Sequence, residues 1–133
     1  MTEKFVPFHQ HLLVRCFVEN PPRRVDELNS WFEELVTAVD MKRVAGPTSV
    51  YVDEPGNEGL TGTVTLATSH SSVHVWDVEE PYLIQFDIYS CRVFSLDTVM
   101  KMLERWGRIS ADWMMIDRND GLRVVEGGRY VSE

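Results

Sequence analysis

The chain has 133 residues, enough for one domain with a buried core, and 44% hydrophobic against 26% charged residues is a globular balance. Its 13 basic and 21 acidic side chains give a net charge of −8, which argues against a nucleic-acid backbone or an anionic membrane as partner. No window approaches the ~18 apolar residues of a membrane span, and the start MTEKFVPFHQHLLV lacks the apolar run of a signal peptide.

Residues 11–18 (HLLVRCFV) read as a buried strand that Pro21 and Pro22 stop. From Val25 the apolar positions Val25, Leu28, Trp31, Phe32, Leu35, Val36 and Val39 recur at spacings of three and four, one face of a helix. Gly46 and Pro47 break the chain, residues 48–52 read as a second strand, and DEPGNEG as a turn or loop. Residues 61–67 (TGTVTLA) and 72–76 alternate, and 82–89 (YLIQFDIY) form the clearest strand signal. A second helix is predicted over 96–106, with Val99, Met100, Leu103 and Trp106 on one face and Asp97 near its start. A last strand follows at 113–116, and the chain from Arg118 reads as a Gly-rich polar tail. Strands clustered between two helices predict an α+β fold, a two-layer sandwich of mainly antiparallel sheet with both helices on one face. The other face then needs cover. A second copy of the chain supplies it most simply, so a homodimer is expected.

Cys16 and Cys91 lie far apart in apolar strand-like segments. That is neither a disulfide framework nor a zinc pattern, and it places the protein by default in a reducing cytoplasm. The histidines form two local pairs, His9/His11 and His70/His74. On a strand, residues two apart share a face about 7 Å apart, whereas residues four apart lie about 13 Å apart, too far for one ion. No metal site is expected from them. Ser69, Ser71, Ser72, His70, His74 and Cys91 hold the parts of a hydrolase, but no GxSxG elbow is present. A half-exposed strand with a hydroxyl-rich polar face accounts for the same residues. Residue types alone leave LATSHSSVHVW (66–76) without an assigned chemistry.

The longer run GLTGTVTLATSH (59–70) resembles the processing segment of the small bacterial and archaeal S-adenosylmethionine decarboxylases. Those proteins carry a Gly-x-Ser-Gly turn, an alternating strand ending in Ala, and then Glu-Ser-His. A second His follows five residues after the Ser, with a Trp beyond it; here these are His74 and Trp76. Their strand ending in Asp-x-aromatic-Thr-Cys matches FDIYSC, which closes on Cys91. The resemblance spans roughly residues 8–117 and takes in the flanking strands and helices; it implies one such domain over 1–133.

The resemblance implies that the chain cuts itself between Thr68 and Ser69 and that Ser69 becomes a pyruvoyl cofactor. The Ser69 hydroxyl would attack the preceding carbonyl, and a donor must stabilise the oxyanion that forms. The resulting ester is opened by β-elimination, and the dehydroalanine left behind hydrolyses with loss of ammonia. By resemblance His74 is the base of that elimination, Thr61 stands for the family's helper serine, and Cys91 is the proton donor in decarboxylation. The implied reaction is decarboxylation of S-adenosylmethionine, which supplies the aminopropyl donor for spermidine.

Three positions depart from the family pattern. Thr68 replaces the Glu before the serine, although cleavage uses that residue's carbonyl rather than its side chain. Asp53 stands where the family stacks an aromatic ring on adenine, with Tyr51 as the nearby aromatic. The run WDVEEP replaces Trp-Pro-Glu, which makes Asp77, Glu79 and Glu80 candidates for the ribose-binding carboxylate, Glu79 foremost. Asp53 keeps open a pyruvoyl decarboxylase acting on arginine or ornithine. Thr68 keeps open an unprocessed homologue that binds a metabolite or a partner chain.

Overall fold

The computed structural model describes residues 8–132. Seven strands form one antiparallel sheet: β1 (Gln10–Val18), β2 (Arg43–Val52), β3 (Gly59–Leu66), β4 (Ser69–Trp76), β5 (Tyr82–Ser90), β6 (Ser110–Asp117) and β7 (Arg123–Val131). Their order across the sheet is β2-β3-β4-β5-β1-β6-β7. Two helices, α1 (Val25–Ala38) and α2 (Leu96–Leu103), cover one face, and a 3₁₀ turn at Glu104–Trp106 extends α2. The fold is α+β, as expected.

Alternation in the strands decides which face the helices cover. Leu12, Val14 and Cys16 of β1, Val64 and Leu66 of β3, Val73 and Val75 of β4, and Ile84, Phe86 and Ile88 of β5 are all buried. They meet Leu28, Phe32 and Leu35 of α1 and Val99, Met100 and Leu103 of α2 in one core. Trp31 knits the two helices together. Its indole stacks on Trp106 with ring centroids 4.5 Å apart and donates to the Met102 carbonyl at 2.8 Å. Such a stack contributes about 0.5–1.5 kcal/mol beyond its buried area.

The helix ends follow from local chemistry. The Arg23 N–H donates to Glu27 Oε1 at 2.9 Å, and Asp26 and Glu27 place negative charge in the first turn of α1. Ser95 caps α2, its hydroxyl accepting from the Thr98 N–H at 3.3 Å.

Gly62 has a packing role that its place in β3 makes plain. A side chain there would lie 2.8 Å from Leu28 and 3.0 Å from Phe32, so the glycine lets α1 approach the sheet. Residues 59–62 (GLTG), which match the family's Gly-x-Ser-Gly turn, form the first half of β3.

Two expectations need correction. The segment from Arg118, expected as a polar tail, turns at Gly121 and returns as β7. Its residues are nearly all exposed at the sheet edge, so no burial pattern marks it as a strand. Strand β2 starts at Arg43 rather than near Thr48, running through Gly46 and Pro47. It tolerates both because it is an edge strand with register shifts between Arg43 and Thr48.

Candidate active site

The sequence-predicted residues fall into two groups at opposite ends of the β3–β4 hairpin. At one end Leu66 pairs with Ser69, so Ala67 and Thr68 form a two-residue loop. The loop is anchored by the Ala67 N–H, which donates to the Lys42 carbonyl at 2.8 Å. Thr68 has φ +60°, a left-handed conformation that a β-branched residue adopts only under strain of about 1–3 kcal/mol. That strain sits on the residue immediately before Ser69.

Ser69 is buried, at 8% exposure, and its Oγ accepts the Cys91 N–H at 3.0 Å. The Thr68 hydroxyl lies 2.7 Å from Cys91 Sγ and 2.6 Å from the Ala67 carbonyl oxygen. The Cys91 thiol in turn donates to the same carbonyl at 3.7 Å. Thr68, Ser69 and Cys91 therefore meet, although 22 residues separate Ser69 from Cys91. They line a cavity of about 430 Å³ that Met41, Lys42 and Arg92 help to close. Burial pushes the thiol of the other cysteine, Cys16, up to about 12.

At the other end lie Thr61 and His74. They are direct cross-strand partners, with Thr61 Oγ1 and His74 Nδ1 3.2 Å apart. His74 stands five residues from Ser69 on the same strand, roughly 16 Å along it, and on the opposite face of the sheet. One chain thus holds Ser69 with Cys91, and Thr61 with His74, but does not bring the two pairs together.

The substrate-binding candidates belong to the Thr61–His74 end. Tyr51 donates its hydroxyl to Asp77 Oδ1 at 3.1 Å, and its phenol is raised by desolvation and then by Asp77. Asp77 is itself buried and faces Arg23 at 3.9 Å, so it is committed to structure. The Glu80 carboxylate accepts from the Tyr82 hydroxyl at 3.3 Å. Asp53 is exposed in the loop after β2. Glu79 is exposed too, and with Glu58, Trp76 and Leu83 it lines a cavity of about 530 Å³.

A third cluster escaped the sequence. His11 Nε2 lies 2.7 Å from Asp87 Oδ2, and His70 Nε2 lies 3.9 Å from the same oxygen. Ser72 holds the other oxygen, donating its N–H to Asp87 Oδ1 at 3.1 Å and its hydroxyl as well. Burial works to raise the Asp87 carboxyl. The hydrogen bonds from His11 and Ser72 and the nearby imidazoles outweigh it and hold the carboxyl below its ordinary range. Tyr89, between the two histidine-bearing strands, touches both imidazoles and carries Arg118 over its ring at 4.3 Å. The parity of Asp87 and Tyr89 is readable in FDIYSC. That β5 lies between β1 and β4 is not.

Among the described residues, no helix is long and apolar enough to cross a membrane. No individually curated protein matches the chain. The family model for S-adenosylmethionine decarboxylase matches residues 11–116, which takes in β1 through β6 and both ends of the β3–β4 hairpin. With Thr68–Ser69 at a strained loop, Cys91 against it, and a match over most of the chain, the protein belongs to the S-adenosylmethionine decarboxylase family.

Proposed function

We propose that the chain is a pyruvoyl-dependent decarboxylase of S-adenosylmethionine that cuts itself between Thr68 and Ser69. The observation that carries this reading is the loop itself: a strained Thr68, followed by a buried Ser69 whose Oγ is held by the Cys91 N–H. The residues around position 69 fit the group that the family uses. Ser69 supplies the hydroxyl, and the adjoining cavity has room for a substrate amino acid. A pyruvoyl at position 69 would supply the carbonyl that condenses with the substrate amine and draws electrons from the breaking carboxylate bond.

The chain's own residues serve that chemistry in distinct ways. Strain at Thr68 raises the energy of the uncut loop and favours its opening. Cleavage frees residue 69 from the hairpin that holds it. The Cys91 thiol stands beside that position, ready to return a proton to the substrate carbon. His74, hydrogen-bonded to Thr61, is the base that position 69 needs and cannot reach within one chain.

A second copy related by a two-fold axis resolves that separation. Stacking open face on open face, with strands running oppositely, sets the Ser69 end of one protomer against the His74 and Glu79 end of its partner. Glu79, on the same cavity as Trp76, is then the carboxylate for the ribose hydroxyls. The product feeds aminopropyl transfer to make spermidine, in the cytoplasm that two unpaired cysteines suit.

A second reading draws on Asp53, Glu58 and Glu79. Three carboxylates at that end suit a cationic amino acid such as arginine or ornithine as well as a sulfonium. One experiment tests both: the denatured mass of fresh protein, followed by carbon dioxide release from each substrate. Fragments of 68 and 65 residues (133 − 68 = 65), the second blocked at its N-terminus, with release from S-adenosylmethionine, support the proposal. Release from arginine or ornithine alone would move the assignment to the second reading. A persistent 15.4 kDa chain would leave a non-catalytic binding protein.

A further inference from the structure

The open face of the sheet carries a cluster that the decarboxylase reading does not use. His11 of β1, Asp87 of β5 and His70 of β4 stand on three adjacent strands, and one ligand atom from each lies within 4.8 Å of the other two. The local histidine pairs do not make this cluster. His9 bonds through Nδ1 to the Tyr89 hydroxyl at 2.8 Å, and His74 faces Thr61. Strand pairing makes it instead: His11 and His70 both align with Tyr89 from opposite sides, and Asp87 lies two residues along on the same face.

We propose that His11 Nε2, His70 Nε2 and Asp87 Oδ2 form a binding site for a divalent transition cation of the zinc class. The donor set points to that class, since two imidazoles and one carboxylate suit zinc, cobalt or iron and not magnesium or calcium. Asp87 is prepared for the role. Ser72 occupies its Oδ1 with two donors and turns Oδ2 toward the imidazoles, the arrangement by which outer partners orient a ligating carboxylate.

Bonds of about 2.0–2.1 Å to a tetrahedral ion place its ligand atoms roughly 3.4 Å apart. The 2.7 Å contact must open slightly and the 3.9 Å contact close slightly, both within reach of side-chain rotation. Three protein ligands leave a fourth coordination position for water.

Arg118 gives the site a distinctive response. Its Nη1 lies 3.4 Å from His11 Nδ1. When His11 Nε2 binds an ion, the imidazole proton must sit on Nδ1, so the guanidinium has to swing away. Arg118 is exposed, which leaves it room to do so. Removing it should therefore tighten binding.

The test is titration of the full-length, chelator-treated chain with cobalt, followed by displacement with zinc. It is run on the wild type and on Ser69→Ala, so that the state of the Thr68–Ser69 bond does not enter. Expected is one equivalent of cobalt with the intense visible absorption of a tetrahedral site, displaced by zinc and untouched by magnesium. His70→Ala, at a half-exposed position that does not threaten the fold, should weaken binding at least about tenfold, and His9→Ala should not. Arg118→Gln should tighten it. Absence of the tetrahedral signal, wild-type affinity in His70→Ala, or no gain in Arg118→Gln would each overturn the three-ligand site.

Discussion

The two faces of this sheet are made from the same strands and do different work. The helix-covered face is apolar and closed: Leu12, Ile84, Ile88 and Val73 have no exposure at all. The open face carries Thr61, His70, Ser72, His74, Asp87 and Tyr89 between occasional apolar residues such as Leu13 and Met114. Strict alternation makes both at once, since each residue added to the core sets its neighbour on the other side. The Thr68–Ser69 loop stands at the end of the β3–β4 hairpin.

The largest effect is expected at the loop. Ser69→Ala should abolish cleavage and leave the 15.4 kDa chain intact by mass, and the Cys91 N–H that loses its acceptor should cost about 1–3 kcal/mol of stability. Coexpression of Ser69→Ala with His74→Ala tests the division of labour between copies. Neither variant should be active alone, whereas mixed dimers should recover one working site of two. No recovery would return His74 to its own chain.

Packing changes should separate the faces themselves. Trp31→Ala removes the bridge between α1, α2 and Trp106, and should cost about 3–5 kcal/mol in denaturant unfolding. On the open face, Leu13→Ser should change stability of the isolated chain by about 0.5 kcal/mol or less. The same change should weaken self-association in sedimentation experiments. A large stability loss there, without an effect on association, would argue against two sheets meeting.

A smaller effect is expected at Thr68. Glycine adopts φ +60° without strain, so Thr68→Gly should stabilise the uncut chain by about 1 kcal/mol and slow cleavage by about fivefold. The half-time of fragment appearance measures it. Unchanged kinetics would remove strain from the account of cleavage.

The faintest contrast is in pH. Cys16, on the covered face, has a folded value of about 12 against an ordinary 9.0. Its contribution is complete below 9.0 and is lost as pH rises toward 12, so Cys16→Ala should flatten alkaline unfolding. Asp87, on the open face, is held below its ordinary 3.8. Its contribution is present above 3.8 and lost as pH falls below it, so Asp87→Asn should flatten acid unfolding in metal-free buffer.

Much of the molecule was legible in the residues alone. Spacings of three and four place α1 and α2, a buried apolar run places β1, strand patterning places β3, β4 and β5, and GLTGTVTLATSH with FDIYSC carries the family resemblance. Ser69 and Cys91 were legible as a pair through that resemblance, and they do meet. Strand β7 was not, because an exposed edge strand with two glycines has no burial pattern to read. These are local properties, fixed by neighbours in sequence. Tertiary structure alone decided that β5 lies between β4 and β1, which brings His11, His70 and Asp87 together from positions up to 76 residues apart. It also decided that Ser69 and His74, five residues apart, face away from each other. A strand's period of two sends an odd separation to opposite faces, and the order of strands is set by how the helices pack, which no single segment encodes.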